Sequence, residues 1–147
     1  MSKVLASLEA LQEEAAVFAA SLAPTSDSAT LVTLTGELGA GKTSFTQGLA
    51  RTLGVTESVT SPTFVLEKIY DLPEELSHGF ARLVHIDAYR LEGGSALKPL
   101  GFAELMKDPQ SLIVLEWPER VIEALPKPVH AISLVVLSDK TRSITYA

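Results

Sequence analysis

Apolar residues recur near the start of the chain at Leu8, Leu11, Ala15, Phe18 and Leu22, the three-four spacing of one helix face. Ser7 stands where an N-cap is wanted and Pro24 lies past the end, so the spacing predicts a helix between them. The pattern then changes. Thr30 to Thr35 (TLVTLT), Leu83 to Ile86 (LVHI) and Leu112 to Leu115 (LIVL) are short apolar runs, rich in β-branched residues, and read as buried strands. Lys42 to Leu53 reads as a helix with Gly54 as its stop. Phe64 to Tyr70 reads as a strand that forms a hairpin-like pair with Leu83 to Ile86. Pro99 and Gly101 break the stretch from Gly93 to Asp108 into short helical pieces. Pro118 suits the first turn of a short helix that stops before Pro126. His130 to Leu137 and Arg142 to Tyr146 flank a polar turn, Ser138 to Thr141, as in an antiparallel hairpin. Strands alternating with helices predict an α/β layered domain with a mostly parallel central sheet and a C-terminal antiparallel hairpin.

Composition narrows this picture. A chain of 147 residues, 46% hydrophobic and 20% charged, suits one folded domain over residues 1–147. It has no cysteine, which excludes disulfides and thiolate metal sites, and no apolar run of membrane-spanning length or signal-peptide type. A cytoplasmic protein is the expectation. The formal net charge of −6, with no basic run, makes a stand-alone nucleic-acid binder a poor candidate, because phosphate neutralisation by Lys and Arg supplies most such affinity.

The candidate chemistry begins right after the first buried strand. Gly36-Glu37-Leu38-Gly39-Ala40-Gly41-Lys42-Thr43 matches the phosphate-loop pattern G-x-x-x-x-G-K-[ST] in full, between a strand and a helix. Glycine lets such a loop curl with its N–H groups inward, and the following helix adds unpaired N–H groups and a positive dipole end. Lys42 is placed to reach β- and γ-phosphates and Thr43 to offer a hydroxyl to Mg²⁺; Ser44 follows. The fold expected around it is P-loop NTPase-like.

Phosphoryl transfer also needs a carboxylate at a strand end to hold Mg²⁺ or its waters. Asp87 ends LVHI and Glu116 ends LIVL, and either fits that place; a helix cap or a solvated loop carboxylate is the plainer alternative for each. Ser61-Pro62-Thr63-Phe64 lies where a switch segment can order around a γ-phosphate, with Thr63 offering a hydroxyl to the metal or the attacking water. A proline turn capped by Ser and Thr explains it about equally well. Trp117, beside Glu116, can pack on nucleotide, on a partner, or in the core. His78, His85 and His130 lack metal-ligand spacing; alternation puts His85 on the same strand face as Asp87.

The segments GELGAGKTSFTQGLA, SPTFVLEKIY, HIDAYRL and IVLEWPER occur in this order. Together they resemble the bacterial TsaE (YjeE) family, the small ATPases of tRNA threonylcarbamoyladenosine (t6A) synthesis, over nearly the whole chain. The resemblance implies ATP and Mg²⁺ as cofactors and slow hydrolysis of ATP. It implies partnership with TsaB and TsaD, which hold the tRNA and transfer the threonylcarbamoyl group, and a pathway in which TsaC makes the activated intermediate. Contact with tRNA would then be indirect. By position it assigns phosphate binding to the loop from Gly36 to Thr43, with Lys42 on phosphate and Thr43 on Mg²⁺. It assigns Glu116 to magnesium, Asp87 to hydrolysis and Trp117 to the family's tryptophan. The family's N-terminal helix carries a Ser/Thr-Glu-Thr type stretch near the adenine; Ser7-Leu8-Glu9-Ala10-Leu11 here lacks the threonine. Two other readings share the phosphate loop. One is a small-molecule kinase, disfavoured by the lack of an arginine-rich lid segment. The other is a nucleotide-sensing interaction module whose hydrolysis is incidental.

Overall fold

The computed structural model describes residues 2–60, 67–128 and 130–147. The chain runs β1 (Ser2–Leu5), α1 (Leu8–Ala20), β2 (Thr30–Thr35), α2 (Lys42–Thr52), β3 (Glu67–Asp71), β4 (Arg82–Asp87), a 3₁₀ segment (Gly94–Leu100), α3 (Phe102–Met106), β5 (Ser111–Glu116), two 3₁₀ turns (Pro118–Arg120 and Ile122–Ala124), β6 (His130–Val136) and β7 (Arg142–Tyr146).

All seven strands form one sheet in the order β1-β7-β6-β2-β5-β4-β3. The four central strands, β6, β2, β5 and β4, are parallel. The outer pairs β3–β4, β6–β7 and β1–β7 are antiparallel. β2 and β5 are covered on both faces, which is why they read as unbroken apolar runs rather than as an alternation.

On one face α1 and α2 pack Leu11, Ala15, Phe18, Phe45 and Leu49 against Val32, Leu34, Leu83, Leu112 and Val114. On the other, Leu31, Val84, Ile86, Ile113 and Leu115 meet Leu97, Phe102 and Val121 from the shorter segments. The helices can approach closely because α2 presents Gly48 to α1; a Cβ there would lie 2.8 Å from the Gln12 carbonyl oxygen. Truncation to alanine in this layer would cost about 3–5 kcal/mol at Phe45 and about 2–5 kcal/mol at Leu49, through lost burial and the cavity left behind.

The α/β class, the parallel centre and the C-terminal hairpin agree with the sequence expectation. Ser7 caps α1 by accepting from the Ala10 N–H at 3.0 Å. Three features differ. β1 was not expected: with only Leu5 buried it has no periodicity to read, and pairing with β7 defines it. The expected helix after Pro118 is instead two 3₁₀ turns, too short for an α-helical ladder. The strand expected from Phe64 to Tyr70 is seen as Glu67–Asp71; its first residues, with Thr63 and the rest of Ser61 to Leu66, lie outside the described residues.

Candidate functional site

In an open parallel sheet the carboxyl ends of the strands, where the chain leaves to either side, form a natural crevice. Here β2, β4 and β5 all end in one cleft of about 560 Å³, lined by Gly39, Gly41, Lys42, Thr43, Ser44, Asp87, Glu116 and Trp117, together with Leu8, Leu38, Tyr89, Arg90 and Arg142.

The loop after β2 forms one wall. Its curl requires glycine: Gly39 and Gly41 have φ of 82° and 106°, and a Cβ on Gly41 would come within 2.5 Å of Leu11. Gly41 precedes α2 without any side-chain cap, so the first N–H groups of an eleven-residue helix face the cleft. Lys42 is buried and donates to the Gly36 carbonyl and, at 3.0 Å, to that of Glu37. Its ammonium lies 4.1 Å from the centroid of the Trp117 ring. Burial pushes the Lys42 pKa below its usual value, and the negative charges of Glu116 and then Asp87 oppose that shift.

Arg142, the first residue of β7, holds this loop from outside. Its Nε donates to the Ala40 carbonyl and one terminal nitrogen to that of Gly39, both at 3.1 Å. The other terminal nitrogen donates to the Ser138 and Thr141 carbonyls of the β6–β7 turn. The planar guanidinium thus ties the hairpin to the phosphate loop.

The opposite wall is acidic. β4 and β5 pair in parallel with Asp87 opposite Glu116, so both carboxylates stand on the sheet face that carries α1 and α2. They differ in setting. Asp87 is half-buried, and its Oδ1 accepts from the Tyr89 N–H at 3.0 Å, an Asx-type turn that starts the loop. Glu116 is 3% exposed, and its Oε2 lies 2.5 Å from Nε2 of His85, which is fully buried.

Trp117 follows with φ 61° and ψ 52°, a left-handed conformation rarely taken by a bulky residue. The turn aims its indole under Lys42 and 4.9 Å from the Tyr89 ring, while the Arg120 guanidinium lies 5.3 Å from Tyr89. Its own N–H donates to the Leu34 carbonyl, and the Ala88 N–H to that of Glu116, fastening the three strand ends together. Strain of this kind is found where surroundings over-determine a geometry, commonly at functional sites.

The structure therefore brings Leu38, Gly39, Gly41, Lys42, Thr43, Ser44, Asp87, Glu116 and Trp117 to one cleft, whereas Gly36, Glu37 and Ala40 of the same loop do not line it. Three sets of contacts were not identified from sequence. The His85–Glu116 bond depends on strand register, and Arg142 is 102 and 103 residues from the loop carbonyls it holds. The Tyr89 and Arg120 stack around Trp117 depends on two separate turns. Chemically, the loop wall offers N–H groups and one cation to an anion, and the facing wall offers oxygen ligands. Among the described residues no three His, Asp or Glu side chains converge as in an all-protein metal cage.

Comparison with known proteins gives one result. The family model for threonylcarbamoyl adenosine biosynthesis protein TsaE matches residues 8–144. A Treponema pallidum (strain Nichols) relative, named tRNA threonylcarbamoyladenosine biosynthesis protein TsaE, is 43% identical over 117 residues, 80% of this chain and 81% of its own. A Bacillus subtilis (strain 168) protein of the same name is 39% identical over 116 residues, 79% of this chain and 68% of its own. The crystal structure of Bacillus subtilis YdiB superposes with a TM-score of 0.77 at 30% identity, covering 99% of this chain and 83% of that one. No helix among the described residues is long and apolar enough to cross a membrane. The chain belongs to the TsaE family of tRNA threonylcarbamoyladenosine biosynthesis proteins.

Proposed function

We propose that this member of the TsaE family binds ATP with Mg²⁺ and hydrolyses it slowly, in support of threonylcarbamoylation of adenosine in tRNAs reading ANN codons. The observation that carries the reading is the meeting of a complete phosphate loop with two strand-end carboxylates in one cleft.

The residues fit both groups. The positive-φ backbone at Gly41, where a Cβ would collide with Leu11, and the uncapped start of α2 form a cradle of N–H groups suited to an anion. Lys42 is already held inward by loop carbonyls and would exchange them for phosphate oxygens. The Thr43 hydroxyl, Glu116 and Asp87 are oxygen donors, the ligand type that Mg²⁺ prefers, and one or two carboxylates completed by phosphates is its usual setting. When bound, Mg²⁺ would supply charge neutralisation to the phosphates. The chain's own residues do the rest. The loop orients the triphosphate, Lys42 stabilises charge gathering on its oxygens, and Asp87 and Glu116 fix the metal and align water. Trp117 shields Lys42 from solvent on one side. Thr63 is proposed to add a hydroxyl to the same centre.

The net charge of −6 argues against tRNA lying on this chain directly. We take TsaB and TsaD to hold the tRNA, TsaC to supply the activated threonylcarbamoyl group, and this protein to act on the TsaB–TsaD assembly in the cytoplasm. The test is binding and turnover of ATP by the purified protein, with and without Mg²⁺ and with and without a TsaB–TsaD complex. Saturable ATP binding and Mg²⁺-dependent phosphate release are expected, both strongly weakened in Lys42→Ala. Phosphate passed to a nucleoside or sugar instead of water would replace this reading with a kinase.

A further inference from the structure

His85 sits in a strand whose neighbours Leu83, Val84 and Ile86 are all fully buried. An aliphatic residue there would fill the space without desolvating a polar ring. The imidazole has one polar contact, at 2.5 Å to Glu116 Oε2, and its Nδ1 is buried with no hydrogen-bond partner among the described residues. A carboxylate only accepts, so the hydrogen of this contact sits on Nε2 and the imidazole donates. The contact is diagonal across the β4–β5 pair: His85 lies opposite Val114 and Asp87 opposite Glu116, all on one sheet face. One Glu116 oxygen is thereby engaged beneath the cleft, and the carboxylate has one well-defined way to present the other to the cleft it lines.

We propose that His85 is a positioning residue for Glu116, locking that carboxylate so that its Oε1 is presented to a divalent cation beside the phosphate loop. The inference rests on the nucleotide reading above and adds a named residue to it. A glutamate that loses its buried partner gains rotamers and must either turn to solvent or stay buried without that hydrogen bond at a cost. Both outcomes weaken a cation site, and neither touches the loop wall. In known metal centres, loss of a partner that orients a ligand lowers metal affinity or activity roughly 10- to 100-fold.

The test compares His85→Leu, which removes the donor, with His85→Gln, whose side-chain amide N–H reaches about as far as Nε2. The full-length protein is used. Binding of a fluorescent ATP analogue is measured in EDTA and then across a Mg²⁺ titration, beside kcat, KM and Tm. For His85→Leu the half-saturating Mg²⁺ concentration is expected to rise, and kcat to fall, by about 10- to 100-fold. Metal-free nucleotide affinity should stay within about twofold, since the phosphate loop is unchanged. His85→Gln should recover most of both losses. If His85→Leu fails to fold, His85→Asn serves in its place; its shorter amide falls short of Glu116, so it should behave as a lost donor while His85→Gln does not. Equal Mg²⁺ requirements in the donor-retaining and donor-lacking variants, with ATP still bound, would overturn the role of His85 alone. So would a fall in metal-free affinity that tracks the Mg²⁺ effect, which marks general collapse of the cleft. Failure of the unsubstituted protein to bind ATP at all would overturn the nucleotide reading and this inference together.

Discussion

The two walls of the cleft are built by opposite means. The loop wall relies on backbone: positive-φ glycines, an uncapped helix start, and carbonyls held in place by Lys42 and Arg142. The acidic wall relies on side chains whose positions are set by strand register, with Asp87 and Glu116 opposite each other and His85 fixing one of them. A backbone site survives most single substitutions of its neighbours, whereas a register-set pair of carboxylates can be dismantled one atom at a time. The walls should therefore fail differently. Damage to the loop should weaken nucleotide whether or not metal is present. Damage to the carboxylates should spare metal-free binding and appear in the Mg²⁺ requirement and in turnover.

The sharpest way to test that division is to remove a charge from each side. Lys42→Ala takes away a charge-assisted bond to phosphate, worth about 1.5–3 kcal/mol per bond. It should reduce ATP affinity about 100-fold in EDTA and in Mg²⁺ alike, by calorimetric titration. Glu116→Gln keeps the shape of the side chain and its link to His85 while removing the charge. A rise of about 30- to 100-fold in half-saturating Mg²⁺, with metal-free affinity within about twofold, is expected from the loss of a metal-orienting carboxylate. Asp87→Asn should show the same pattern at about tenfold, because Asp87 is more exposed and already shares Oδ1 with the Tyr89 N–H. A loss of metal-free affinity in either carboxylate variant comparable to that of Lys42→Ala would break the division.

The loop wall was legible in the sequence because its function depends on residues adjacent in the chain. G-x-x-x-x-G-K-T names the backbone conformation, the helix start and the cation at once. The acidic wall was half legible. An apolar run ending in Asp87 or Glu116 marks a carboxylate at a strand end, but nothing along either strand says that the two are register partners or that His85 reaches across to Glu116. The left-handed turn at Trp117 was hidden for a related reason: a tryptophan before proline carries no local preference for that conformation, and the contacts of Lys42, Tyr89 and Leu34 impose it. β1 and the Arg142 clamp are the extreme cases, since both depend on the C-terminal hairpin lying beside the N-terminal half of the chain.

Raising the pH should separate the walls without any substitution. The Lys42 pKa in the folded protein is below its usual 10.5, chiefly through burial. Between the folded and unfolded pKa values the unfolded chain binds the proton and the folded chain does not, so this group makes stability rise with pH across that window. Nucleotide binding has the opposite dependence. It needs the charged ammonium, so above the folded pKa it must take up a proton, and affinity should fall by up to about tenfold per pH unit, from a pH below 10.5. Lys42→Ala should lack this limb. Glu116→Gln should keep it but show it at lower pH, because removing the charge removes the largest influence holding the Lys42 pKa up.

Arg142 asks whether the loop wall needs its outer support. The guanidinium donates to the carbonyls of Gly39 and Ala40, whose curl shapes the cradle, and to the β6–β7 turn. Arg142→Ala leaves Lys42 and the helix start in place but removes the donors that hold two loop carbonyls outward. Each such bond to a charged donor is worth about 1.5–3 kcal/mol when intact, but water can replace it at this partly exposed position. A loss of about fivefold in ATP affinity is therefore expected, equal with and without Mg²⁺, together with a small fall in Tm from the loosened hairpin. Arg142→Lys should recover little of it, since one ammonium cannot span the loop and the turn as a planar fork does. If Arg142→Ala changed the Mg²⁺ requirement and left metal-free affinity intact, the hairpin would be acting on the carboxylate wall, and the division between backbone and register would fall.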